Sequence, residues 1–342
     1  MKPASLNKPT RRLPVDWFLP AMGIAVALAS WAPHIGASGG PIHSQVITKF
    51  GVMIAFFVYG LTLSFAALKG GALNWRLHLA VQAGTFLLFP FAGFLMIKIG
   101  RPWMSPDLQF GYAYLCALPS TISSSVALTA VARGNVPGAV FNATLSSLLG
   151  VVLTPLWLHA LAGVTGMGGE LGPAILDIAR LLVLPMVIGQ ACRPWLGAWA
   201  GRHRARLQLV DRLLILFLIY ASFCDSFERG VWAGHGLNLL VGVIVGTGVL
   251  FAFALLVMSL TGRALGFGHA DQIALLFCGS KKSLAQGVTM AKVLLASHPA
   301  PGLVLLPLII YHALQLVVGG ILAPRWAAKA NLITASSLKG NP

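Results

Sequence analysis

Ten long apolar runs, separated by short polar, basic or Gly- and Pro-rich stretches, set the pattern of this chain. They cover 14–34, 46–69, 79–99, 111–133 and 135–164, then 174–196, 207–228, 237–261, 270–295 and 302–323. Each is long enough to cross a hydrocarbon core of about 30 Å as a helix. The pattern therefore predicts an all-α polytopic membrane protein with ten transmembrane helices. A segment over 1–13 precedes the first run and a tail over 324–342 follows the last.

Two runs are interrupted by polar residues near their middles. The fourth carries Pro119 followed by Ser120, Thr121, Ser123, Ser124 and Ser125. Proline removes a backbone donor, and the hydroxyls can replace lost helical bonds or face a ligand. The ninth carries Gly279-Ser280-Lys281-Lys282-Ser283, with Gln286 and Gly287 beyond. An ammonium at the centre of an inserted helix costs roughly 2.5 to 3.5 kcal/mol on insertion scales, and such groups usually face a cavity or a partner. Both lysines lie about 18 Å from either end of the run at 1.5 Å per residue, too far to snorkel. Pro119, Gly279 and Gly287 are the expected helix breaks. The stretch fails the phosphate-loop pattern, because Ser280 precedes the lysines and no strand leads into it.

The runs also repeat. The first, third and fourth each have a counterpart about 160 residues later, and five spans per half force the second half to enter from the opposite side. The expectation is two inverted five-helix repeats, 14–164 and 174–323, whose broken helices 4 and 9 cross near the midplane and form the binding site.

Composition agrees with a membrane protein: 57% of the 342 residues are hydrophobic and 9% charged, against roughly 25% charged in soluble domains. The formal charge of +16 could suggest nucleic acid, but the basic residues sort by side. Lys69, Arg76, Arg133, Arg193, Arg202, Arg204, Arg206, Arg263, Arg325, Lys329 and Lys339 all fall on the side of the basic N-terminus, and only Lys98, Arg101 and Arg229 on the other. That asymmetry encodes orientation: both termini cytoplasmic, in a plasma (inner) membrane, with the lipid bilayer as partner and no nucleic acid. No cleavage site follows the first residues, which read as a cytoplasmic lead-in. Cys116, Cys192, Cys224 and Cys278 are widely spaced in apolar sequence and offer no metal set.

Other polar groups keep two readings open. Asn142, Thr144, Ser146 and Ser147 in span five, Gln82 and Thr85 in span three, and His312 with Gln315 in span ten either line the cavity or bond helix to helix. Lys292 reads as snorkelling to the outer end. Asp211–Arg212 and Asp177–Arg180 read as local pairs, and Asp225, Glu228 and Arg229 as a solvated outer cluster.

Pro119-Ser120-Thr121-Ile122-Ser123-Ser124-Ser125-Val126, followed by Ala132-Arg133-Gly134-Asn135-Val136, resembles the fourth-helix motif of the bile acid:sodium symporter family. The run from Phe277 to Leu294 resembles the ninth helix of its divergent SBF-like branch. The resemblance covers all ten spans. It implies a core of spans three to five and eight to ten, moving against a panel of spans one, two, six and seven. It places Ser124 and Ser125 on a Ser-Asn pair for a first sodium ion, with Asn142 on a helix-five ligand. Gln286 falls on a second-site glutamine, and Thr85, with Gln82 one turn earlier, near a helix-three glutamine. The glutamate shared by both sodium sites is Lys282 here.

A fixed ammonium in that place would repel Na⁺ by about 4 kcal/mol at 4 Å with an effective dielectric near 20. The expected function is a secondary transporter for a small organic anion, with Lys282, together with Lys281, standing in for the cation. The coupling ion is H⁺ or Na⁺, and no cofactor is expected. Other readings are an arsenite-type efflux carrier of the same superfold, and a non-transporting regulator of ion or envelope homeostasis. No nucleophile–base pair or metal motif within the spans suggests an enzyme.

Overall fold

A computed structural model of the chain describes residues 17–62, 73–165, 176, 177, 179–230, 232, 236–295 and 298–339. The expected segment 1–13, the loop around Lys69, residues 166–173 of the outer connection and the end of the tail beyond 339 lie outside them. Among the described residues all regular structure is helical. The first half contains α1 (Phe18–Trp31), α2 (Pro33–Gly36), α3 (Ser44–Thr62), α4 (Trp75–Ala83), α5 (Phe89–Gly100), α6 (Pro106–Ala117), α7 (Ser123–Val131) and α8 (Val136–Thr165). The second contains α9 (Leu184–Ala191), α10 (Arg193–Arg202), α11 (Arg204–Glu228), α12 (Leu237–Ala264), α13 (His269–Gly279), α14 (Leu284–Leu294) and α15 (Pro301–Lys339). Single π-helical turns, Gly84–Leu88 and Ala179–Val183, lead into α5 and α9.

Among the described residues six rods are long and apolar enough to cross a membrane: Ser44–Thr62, Trp75–Gly100, Val136–Leu161, Arg204–Glu228, Leu237–Ala264 and Pro301–Ala328. A seventh is reached if Arg180–Ala191 and Arg193–Arg202, which meet at 94°, form one span. The chain is thus a multi-pass membrane protein. The remaining apolar runs are not single rods. Run 14–34 is a 14-residue helix followed by a short turn, and runs 111–133 and 270–295 are each two helices. The span expected over 174–196 bends at Cys192, because Pro194 has no N–H with which to continue the ladder.

The two π-turns share a cause. Each ends two residues before a proline, Pro90 or Pro185. A proline ring clashes with the carbonyl four residues back, and a widened turn moves that carbonyl aside.

The helices pack as two groups. One holds α1, α2, α3, α9, α10 and α11; the other holds α4 to α8 and α12 to α15. Within the first, α3 and α9 approach backbone to backbone. A methyl added at Gly60 would lie 2.0 Å from the Met186 carbonyl oxygen, and one at Gly189 would lie 2.1 Å from that of Phe57. Such close approach by small residues is a common way for helices to associate in lipid. Within the second group, Asp271 at the start of α13 accepts from the side chains of Asn74 (2.8 Å) and Asn135 (2.7 Å). Those asparagines in turn accept from Leu77 N–H and Gly138 N–H in the first turns of α4 and α8. One carboxylate thereby holds the starts of three helices together.

The groups meet chiefly where α11 lies against α14 and α15. Three polar links occur at the end where α11 finishes. Lys292 Nζ is 4.0 Å from Asp225 Oδ2, Gly302 N–H donates to Ser226 Oγ at 2.7 Å, and Arg229 donates to the His298 carbonyl at 2.9 Å. Asp225 is therefore not the solvated surface group expected from sequence. It is buried, and it also accepts from the N–H (2.6 Å) and hydroxyl (2.9 Å) of Ser38. Lys292, expected to snorkel, instead points at this carboxylate.

Replacing Asp225 with Ala leaves the Ser38 donors and Lys292 without their acceptor. Asp225→Ala should lower unfolding stability by roughly 2 to 4 kcal/mol, measured by thermal or denaturant unfolding in detergent. A double-mutant cycle with Lys292→Met should show coupling of about 0.5 kcal/mol or more; strict additivity would mean the pair does not interact.

Candidate functional site

The site is built from helix ends that proline and glycine leave open. Pro119 disfavours a helical conformation for Leu118, and Leu118 is extended at φ −69°, ψ 153°. Helix α6 therefore stops at Ala117, and the chain resumes as α7 only at Ser123. Helix α13 stops at Gly279, and α14 starts at Leu284 after Ser283, whose hydroxyl accepts from Gln286 N–H.

In lipid each freed backbone group needs a partner inside the protein, and here the two breaks supply each other. Ser120 Oγ donates to the Cys278 carbonyl at 2.6 Å and Ser125 Oγ to that of Phe277 at 3.0 Å. Ser283 N–H donates back to the Pro119 carbonyl at 2.9 Å. Helix α15 clamps the same segment: Gln315 accepts from Lys282 N–H and donates to the Lys282 carbonyl, both at 2.9 Å, and Tyr311 donates to the Ser280 carbonyl at 2.7 Å. Gln315 also donates to His312 Nδ1 at 2.8 Å, so span-ten polar groups serve helix-to-helix bonding.

The two lysines are both fully buried but held differently. Lys282 Nζ donates to the carbonyls of Thr85 (2.9 Å), Cys116 (2.9 Å) and Leu118 (2.6 Å). It also sits 4.2 Å from the centroid of the Phe89 ring. All three carbonyls are orphans of proline. The Thr85 carbonyl has lost the Phe89 N–H, which bonds Gly84 in the π-turn, and the next residue, Pro90, has none. The N–H that would serve Cys116, that of Ser120, goes to Ser146 Oγ at 2.9 Å. Leu118 lies in the break itself. Lys281 Nζ has one carbonyl, Ser124 at 3.2 Å, and lies 5.2 Å from the Phe277 ring centroid. Among the described residues no carboxylate pairs with either ammonium.

The other expected residues fall in different places. Thr85 contributes its carbonyl, because its hydroxyl bonds back to Val81 at 3.0 Å. Ser125 spans the two breaks, as above, whereas the Ser124 hydroxyl turns to Thr121 at 3.3 Å. Ser123 is exposed and stands outside the cluster. Gln286 donates to Ser147, and Gln82 donates to the Asn142 carbonyl (3.1 Å) and side chain (3.3 Å). The amide oxygens of both glutamines are buried without a partner. Gly279 closes α13. Gly287, expected at a break, lies one turn inside α14, because Ser283 caps the helix before it. Its lack of a side chain serves packing: a methyl there would meet Leu308 and Leu118 at 2.5 and 2.6 Å. Sequence reasoning did not single out Phe89 or the carbonyls of Cys116 and Leu118. Pro90 and Pro119 were the available signals for them.

A family model, the SBF-like CPA transporter family, matches residues 16–328. The chain belongs to this family. Its relatives include "Uncharacterized protein PA2026" of Pseudomonas aeruginosa, 42% identical over 92% of this chain and 93% of that protein. "Putative symporter YfeH" of Escherichia coli (strain K12) is 37% identical over 94% and 96%. "Sodium/bile acid cotransporter 7" of Danio rerio is 31% identical over 92% and 94%. The resemblance seen in the motifs of spans four and nine thus extends over nearly the whole chain. This member of the SBF-like family is a membrane transporter, not an enzyme.

Lys282→Met keeps the stem but removes the donors from three buried carbonyls. At about 1 to 3 kcal/mol for each unsatisfied group, the variant should lose at least ~3 kcal/mol of stability without any ligand present, read as the unfolding midpoint in detergent. Wild-type stability in Lys282→Met would show that the three-carbonyl cage is not holding the breaks together.

Proposed function

We propose that the protein is a secondary active transporter that carries a small organic anion by alternating access, at a site between the broken helices. The observation that carries this reading is a pair of buried ammonium groups at the meeting of two helix breaks, without a carboxylate in contact among the described residues. A site with fixed positive charge suits an anion. The name of the Danio rerio relative pairs sodium with an organic anion, and the proposal keeps the anion for this chain. Lys282 takes the position and the carbonyl contacts of a cation, so sodium is not coupled through that position. The driving ion is then H⁺, or Na⁺ held elsewhere.

The architecture we propose for this cycle is ten spans in two inverted repeats, 14–164 and 174–323, with crossed helices 4 and 9. Adding α1 and the two broken pairs to the seven candidate spans reaches that number, and the two breaks are spaced about 160 residues apart, as an inverted repeat requires. The group of α4 to α8 with α12 to α15 acts as the core, and the other group as the panel. Basic residues such as Arg76, Arg133, Arg202 and Arg263 support cytoplasmic termini in an inner membrane.

Reconstituted protein should show counterflow of a labelled organic anion across liposomes of bacterial lipid without any sodium gradient, and an imposed pH gradient should change the uptake rate. Uptake that strictly requires a sodium gradient would overturn the role given to Lys282. Absence of flux for every anion tried, in either direction, would overturn transport of anions.

A further inference from the structure

Resting on the anion-transport reading above, we infer that the two lysines divide the work: Lys281 binds the transported anion, and Lys282 is a fixed internal cation that the anion does not touch. An ammonium has three N–H donors and no acceptor. Lys282 has a carbonyl for each of its three and a ring face beside them. It has nothing left to offer a ligand. Lys281 has one carbonyl at 3.2 Å and a ring at 5.2 Å. Two of its donors have no acceptor among the described residues, although the side chain is only 1% exposed. A buried charge with unfilled donors is costly and is normally completed by a partner.

The surroundings of Lys281 describe the partner. A methyl built at Gly319 would lie 2.7 Å from Leu128, 3.6 Å from Phe277 and 3.9 Å from Lys281 Cε, so the absence of a side chain there lets α15 pack closely over the lysine stem among apolar groups. Trp326 lies edge-on to Phe277 with centroids 5.3 Å apart. Two free donors beside apolar and aromatic walls fit an oxyanion such as a carboxylate carrying an apolar body. They do not suit a polyanion, whose other charges would be buried against Leu128 and Phe277.

The three polar side chains of this stretch also point to different neighbours. Lys281 reaches α7, Lys282 reaches α6 and the π-turn before α5, and Gln286 reaches Ser147 on α8. An anion at Lys281 therefore leaves the unpaired amide oxygens of Gln82 and Gln286 untouched.

The test is thermal unfolding of purified full-length protein titrated with benzoate, with succinate and inorganic phosphate as comparison anions. Wild type should show a saturable rise in midpoint with benzoate and a much smaller one with succinate or phosphate. Lys281→Gln should start at a midpoint no lower than wild type, since it removes an unpaired buried charge, and its apparent benzoate Kd should be at least tenfold weaker. Lys281→Arg should restore most of the response. Lys282→Gln should start lower, yet keep the wild-type benzoate Kd. A wild-type benzoate Kd in Lys281→Gln would overturn the assignment, as would loss of the benzoate response in Lys282→Gln at unchanged starting stability. If wild type responds to none of the three anions, the anion reading itself falls, separately from the division between the lysines.

Discussion

Three orphaned carbonyls and one ammonium hold the centre of this protein together. Pro90 and Pro119 strip helical partners from the carbonyls of Thr85, Cys116 and Leu118, and Lys282 collects all three. In water such groups would simply be hydrated. In hydrocarbon they must be satisfied internally, so the prolines make the lysine necessary as much as the lysine makes the breaks possible. The same stretch is then bound on every side, by Pro119 through Ser283, by Ser120 and Ser125 through their hydroxyls, and by Gln315 and Tyr311 from α15. The broken helices α6–α7 and α13–α14 thus form one hydrogen-bonded unit.

That unit lies wholly within one of the two helix groups, and this shapes what can move. The other group touches it mainly through α11, and the polar links between the groups, at Asp225, Ser226 and Arg229, sit at one end of the molecule. Elsewhere α11 buries apolar residues such as Leu218, Ile219 and Phe223, and a methyl built at Gly302 on α15 would lie 3.3 Å from Phe223 Cα. Apolar faces slide with little loss, whereas hydrogen bonds and ion pairs have discrete partners. The links around Asp225 therefore fix how the two groups meet at that end, while the paired breaks are bonded to each other within one group.

Much of this was legible in the sequence, and the failures have physical reasons. The apolar runs and the polar interruptions at Ser123 to Ser125 and at Lys281 and Lys282 follow from composition along the chain, and the family from the resemblance of the span-four and span-nine motifs. The straightness of the runs does not, because a proline such as Pro194 bends a helix that hydropathy alone leaves continuous. Side-chain identity does not tell where the backbone does the binding: Thr85 was singled out by its position in span three, yet its hydroxyl is spent on Val81 and its carbonyl meets Lys282. Asp225 looked solvated because its neighbours in sequence, Glu228 and Arg229, are exposed; its partner Ser38 lies 187 residues away. Long-range contacts of that kind leave no local trace.

A tethered cation changes the energetics of a transport cycle. A sodium ion that binds and leaves can carry free energy from its gradient to the substrate. Lys282 is tethered and cannot leave, so it carries no free energy by binding on one side of the membrane and leaving on the other. Any coupling must come from a group whose occupancy differs between the two orientations. Buried polar atoms still short of a partner are where such occupancy can change, and among the described residues near the breaks these include the donors of Lys281 and the amide oxygens of Gln82 and Gln286. The first suits an anion and the second a cation or a water carrying a proton. The two sets are held apart by different neighbours: Lys281 reaches Ser124 on α7, whereas Gln286 and Gln82 both reach α8, at Ser147 and Asn142.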